Sequence, residues 1–76
     1  MSRRTPHPIV AQLRADREDR GWSQAALARR IGVGTSTVQT WEDGSRQPVL
    51  RHLLAYARAL GRRVTLTPIE EATDAQ

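Results

Sequence analysis

Thr35, Ser36, Gln39 and Thr40 are short side chains that donate and accept hydrogen bonds, and none carries a charge. Val38 and Trp41 fall among them at i and i+3, the apolar stripe of a short amphipathic helix. The polar residues then share the outward face. Such a face offers donors and acceptors to the edges of base pairs, which suits a helix laid in the major groove of duplex DNA. Gln39 has the amide geometry to bond adenine through two atoms, whereas the hydroxyls read less selectively. No arginine lies on this face, so readout of guanine from it is expected to be weak.

The elements that must hold this face lie between Ser23 and Gly44. Leu27, Ala28 and Ile31 recur at i, i+1 and i+4, which predicts a helix ahead of the polar one. Ser23 is a capping residue at its start, and Gly32 suits a left-handed residue at its end. The Gly32-Val33-Gly34 turn joins the two helices. Gly34 is a tolerable cap for the second, and Gly44 is a stop.

This stretch resembles the helix-turn-helix of the Cro/repressor (XRE-like) family. The matching residues are Gln24, Leu27, Ala28, Ile31, Gly32, Val33, Ser36, Thr37, Val38, Trp41, Glu42 and Gly44. The likeness continues through Pro48, Leu50, Leu53, Leu54, Ala57, Leu60 and Gly61, so it runs from Ile9 to Gly61. It implies an all-α, four-helix, lambda-repressor-like DNA-binding domain. The function it implies is a sequence-specific transcriptional regulator of double-stranded DNA, a repressor acting as a homodimer on an inverted repeat. Carried over residue by residue, Gln24 touches a phosphate and braces the reading helix, and Arg17 pairs with Glu42 across the domain. Arg46, in the polar loop Ser45-Arg46-Gln47, is the expected phosphate contact outside the motif. Two positions depart from the pattern. Val49 stands where relatives often have a serine cap, which blurs the start of helix four. Asp43 puts a carboxylate where a phosphate would approach, so Arg46 or another arginine must neutralise it.

The totals agree with a small DNA-binding domain. The 76 residues suffice for one domain, and the formal charge is +4, with 12 basic residues against 8 acidic. Every basic residue is arginine. A basic balance fits a polyanionic partner. There is no cysteine, so no disulfide and no thiolate metal site is available. No apolar run approaches the ~18 residues of a membrane span. No apolar segment follows the N-terminal arginines as in a secretion signal. A cytoplasmic, bacterial or phage-encoded protein is therefore expected. His7 and His52 have no further metal ligand at useful spacing. Gly32 and Gly34 follow no strand, so they form a turn and not a phosphate cradle. No Ser–His–acid arrangement is present, so neither a cofactor nor an enzymatic role is expected.

Along the chain, residues 1–7 read as a flexible arm. They are either a plain terminus or an arm whose Arg3 and Arg4 reach DNA phosphates or a minor groove. The helical domain is expected over 8–61. Pro8 opens its first helix, with Ile9, Val10 and Leu13 facing inward. Trp22 is expected in the core. Helix four should run from about Pro48 to Leu60 with Leu50, Leu53, Leu54, Ala57 and Leu60 inward, while Tyr56 is open between core edge and surface. Over residues 62–68 the period changes, with Val64 and Leu66 alternating against Arg63, Thr65 and Thr67, which predicts a strand. A lone strand has no ladder partner in a helical chain, so its two-fold mate in a homodimer is the simplest one. HipB-type antitoxins resemble this arrangement. That likeness supplies the alternative reading, an antitoxin that binds a toxin protein and autoregulates its operon. Residues 69–76 are acidic and polar, and read as a disordered tail.

Overall fold

The computed structural model describes residues 4–69. It contains α1 (Pro8–Asp19), α2 (Gln24–Ile31), α3 (Thr35–Asp43) and α4 (Leu50–Ala59). Local chemistry sets each boundary. The His7 ring nitrogen accepts from the Ile9 amide at 3.0 Å, and Pro8 occupies the first turn, where its missing N–H costs nothing. Ser23 Oγ accepts from the Ala26 amide at 3.0 Å. Gly32 ends α2 with φ of 79°, left-handed space that a glycine enters without a Cβ clash. α4 starts at Leu50, two positions later than Pro48, and Val49 offers its first turn no side-chain cap.

The core consists of Val10 and Leu13 from α1, Leu27 and Ala28 from α2, Val38 and Trp41 from α3, and Tyr56, Ala57 and Leu60 around α4. Three expectations about its membership fail. Ile9 is 38% exposed, Leu50 68% and Leu54 41%. The inward stripe of α1 is Val10, Leu13 and Arg17, at i, i+3 and i+7, and Ile9 lies one step off it. The stripe of α4 is Leu53, Tyr56, Ala57 and Leu60. Leu54 sits at its edge, and Leu50 occupies the first turn, beyond the end of the core. Tyr56 takes the fully buried place that the pattern left open. Trp22 packs against the core but is only half-buried. Its ring is covered by the guanidinium of Arg30, 4.1 Å from its centroid, with that of Arg20 at 5.6 Å.

One polar centre joins all four helices. The Glu42 side chain on α3 is 1% exposed. Its carboxylate accepts from Arg17 Nε at 2.9 Å and Arg17 Nη2 at 2.8 Å, from α1. It also accepts from Gln24 Nε2 of α2 at 3.0 Å and from the Tyr56 hydroxyl of α4. The third arginine nitrogen, Nη1, donates to the Trp22 carbonyl at 2.6 Å. No buried side-chain polar atom is left without a partner among the described residues. Burial alone would raise the Glu42 carboxyl, but donation from Arg17, Tyr56 and Gln24 outweighs it and holds the group below its ordinary 4.5. The bond to Glu42 raises Arg17, against its burial. Burial raises the Tyr56 hydroxyl, and the bond to the carboxylate raises it further.

After Gly61 the chain turns back, and the Arg62 amide donates to the Ala57 carbonyl at 2.8 Å. The Arg62 guanidinium grips Asp16 of α1 at 2.7 and 3.2 Å, and Arg20 Nη2 donates to the Leu60 carbonyl at 2.6 Å. Residues 63–69 then run without helix or ladder in the single chain. Val64 packs against the core, whereas Leu66 is 97% exposed.

The polar centre predicts a ranking of variants. Arg17→Ala leaves the Glu42 carboxylate buried beside a cavity and should destabilise the fold by about 3–5 kcal/mol. Arg14→Ala, on an exposed i,i+4 pair with Glu18 and at a longer 3.9 Å from Glu42, should cost about 1 kcal/mol or less. Arg20→Ala falls between them. Denaturant titration of the three variants checks the order, and a cycle with Glu42→Gln gives the coupling.

The lowered Glu42 carboxyl also fixes a pH dependence. A carboxyl depressed by folding contributes stability above its unfolded value, and that stability is lost as pH falls through the folded value. The wild type should therefore lose stability progressively from about pH 4.5 downward, and Glu42→Gln should lose less over that window. Parallel curves for the two proteins would remove Glu42 as the cause.

Candidate nucleic-acid interface

α3 carries the residues that the sequence marks for base contact. Gly34 places the helix start without a side-chain cap, and Thr35, Ser36 and Gln39 stand exposed along one side. Val38, Trp41 and Glu42 are buried on the other, so the rotation of α3 is set by apolar packing and by the Glu42 centre together. Thr40 is half-buried, and its hydroxyl donates back to the Thr37 carbonyl at 2.7 Å. Its proton is thereby committed, and what Thr40 presents outward is an acceptor oxygen and a methyl group.

Gln24 and Arg46 flank this face differently. Gln24 is half-buried at the start of α2, and one amide proton goes to Glu42. The second is left for an outside acceptor. Arg46 is exposed, and its backbone amide donates to the Thr40 carbonyl at 3.1 Å. That bond folds the loop against the end of α3. Arg46 and Thr40, with Ser36, His52 and Trp41, line a shallow pocket of about 390 Å³ between α3 and the start of α4. The His52 ring sits 5.6 Å from that of Trp41.

Asp43 lies at the last position of α3. Its carboxylate accepts from the Ser45 amide at 2.7 Å. The Ser45 side chain first and that amide second lower its pKa, and the charge of Arg4 adds a smaller lowering. Arg4 of the N-terminal segment is thus an arginine whose charge reaches this carboxylate. Arg3, named beside Arg4 as an arm residue, lies outside the described residues. Arg29 and Arg30 are exposed on α2, with Arg30 turned onto Trp22.

Tyr56 is the member of the polar centre that sequence reasoning left open. The signal was present: a tyrosine at i+3 from Leu53 on an apolar stripe must bury its hydroxyl and so needs an acceptor. Chemically, the arrangement offers a hydrogen-bonding helix face with a basic loop beside it. Among the described residues no three His, Cys, Asp or Glu side chains gather to hold a metal. No helix there is long and apolar enough to cross a membrane.

Comparison with known proteins places this geometry. The sequence model of the helix-turn-helix family matches residues 13–66. An uncharacterized HTH-type transcriptional regulator, y4dL, of Sinorhizobium fredii (strain NBRC 101917 / NGR234) is 40% identical over 68 residues. That alignment takes in 90% of this chain and 34% of the relative, so the chain spans about a third of the relative's length. The chain belongs to the helix-turn-helix family, in its Cro/repressor (XRE-like) branch.

Proposed function

We propose that the protein is a sequence-specific, double-stranded-DNA-binding transcriptional regulator, a repressor acting as a homodimer on an inverted-repeat operator. The observation that carries the reading is the uncharged hydrogen-bonding face of α3, held in one rotation by the Glu42 centre. α2 lies over the DNA backbone, and α3 enters the major groove. Thr35, Ser36, Gln39 and Thr40 face base edges there, Thr40 through its acceptor oxygen. Gln24 and Arg46 hold phosphates and set the register of the domain on the duplex. Arg3 and Arg4 add charge from the arm (residues 1–7). The relative from Sinorhizobium fredii is named as a transcriptional regulator, in keeping with this reading.

The dimer rests on the segment after the helical domain (8–61). Leu66 and Ile69 are 97% and 64% exposed in a single chain, and residues 63–69 have an unpaired backbone. Pairing residues 62–68 with the same segment of a second copy satisfies that backbone and covers Leu66. Two reading helices then span half-sites about 34 Å apart, one turn of DNA.

Three variants test the reading. Arg46→Ala should weaken binding to all duplexes alike and flatten the plot of log K against log salt by about one unit. Gln39→Ala should change preference at one base pair, by about 1–3 kcal/mol, with stability unchanged. Selection of bound sequences from a random pool reads the second effect, and unchanged preference there sinks α3 as the reader. Leu66→Asp should shift sedimentation from dimer toward monomer without loss of helix content. A variant as dimeric as the wild type would assign the contact to the helices instead.

A further inference from the structure

The left-handed glycines of this chain are not equivalent. A Cβ built on Gly32, with φ of 79°, meets nothing within 4 Å. A Cβ on Gly44, with φ of 85°, would stand 2.5 Å from Thr5 C, 2.6 Å from Thr5 O and 2.8 Å from Thr5 N. The N-terminal segment therefore crosses the end of α3 with its backbone pressed on the bare Cα of Gly44. Consecutive Cα atoms are about 3.8 Å apart, so Arg4 is held within one residue step of that point.

The end of α3 needs a cation. A helix C-terminus carries a partial negative charge, usually met by Lys or Arg in the last turn. The last turn of α3 has no basic residue and holds both Glu42 and Asp43. Arg17 neutralises Glu42 inside the domain, which leaves Asp43 at the surface beside the proposed DNA face. Arg46 in the following loop brings one cation to this corner, and a second there would further offset the repulsion of phosphate.

We propose that Gly44 is the seat of the N-terminal arm, and that the seated arm lays Arg4 over the acidic end of α3 as a contact for the DNA backbone. The DNA half of this inference rests on the proposed function, while the seating stands on the fold alone. Gly44 is thus a positioning residue for the arm as well as the stop of α3. Substitution there removes the seat, whereas substitution at Gly32 imposes similar left-handed strain and touches no arm.

Relaxation measurements on the full chain separate these roles. In Gly44→Ala the order parameter of the Thr5 amide should fall from about 0.85 to below about 0.6, and in Gly32→Ala it should not move. On duplex DNA, Gly44→Ala and Arg4→Ala should each flatten the salt plot by about one unit, and the double variant no further than either. A rigid Thr5 in folded Gly44→Ala overturns the seat. An unchanged slope in Arg4→Ala overturns the contact. Should Gly44→Ala fail to fold, Arg4→Glu and Arg58→Glu, equal in net charge, decide the DNA half. A larger affinity loss at Arg4 supports the contact, and equal losses reduce it to general attraction. Thr5 order in the wild type then decides the seat, with a value below about 0.6 overturning it. A wild type that binds no duplex at low salt overturns the proposed function and the DNA half together, leaving the seat to the Thr5 measurement.

Discussion

A buried carboxylate cannot remain charged without partners, and Glu42 finds them on three other helices. Desolvating such a group costs several kcal/mol unless good geometry repays it, so the centre is a weak source of net stability. Its effect is on arrangement. Arg17, Gln24 and Tyr56 reach the same carboxylate only when α1, α2 and α4 sit correctly about α3. An apolar core of nine residues, several of them alanine or valine, tolerates small slips of one helix along another. A planar guanidinium bound through two nitrogens tolerates them far less. The domain thus uses a polar constraint to fix the rotation of the helix whose outer face is offered to DNA.

The same centre shows how far the sequence could be read. The four helices were legible because Ser23, Gly32, Gly44 and Gly61 punctuate them and their apolar residues recur at helical spacing. The Arg17–Glu42 pair lies 25 positions apart, and no local rule joins such residues; it entered only through the family resemblance. Tyr56 was left open because periodicity ranks a residue by its apolar surface and cannot see the acceptor waiting for its hydroxyl. Leu50 and Leu54 were misplaced for a related reason. The stripe of a helix says which side faces inward, but not where the neighbouring helices end.

For the interface, the exposed positions of Thr35, Ser36 and Gln39 followed from the pattern, and the back-bond of Thr40 did not. A threonine hydroxyl chooses between the outside and its own helix, and sequence spacing does not decide the choice. Asp43 was recognised as needing a cation, from Arg46 or another arginine, and no local rule could say which. Arg4, far away in sequence, adds its charge there because folding carries the N-terminal segment across Gly44. The period change after Gly61 indicated extended chain, but a ladder is a property of two segments, and one chain supplies a single segment.

The grip of Arg62 on Asp16 has a mechanical meaning. With Arg20 holding the Leu60 carbonyl, it clamps the exit of α4 to α1. Residues 63–69 therefore leave the helical body from a fixed origin. In the proposed dimer, the seam begins immediately after that clamp, so almost no slack separates it from the two helical bodies. Their separation becomes a rigid gauge carried by the protein, and the spacing of paired DNA sites must conform to it.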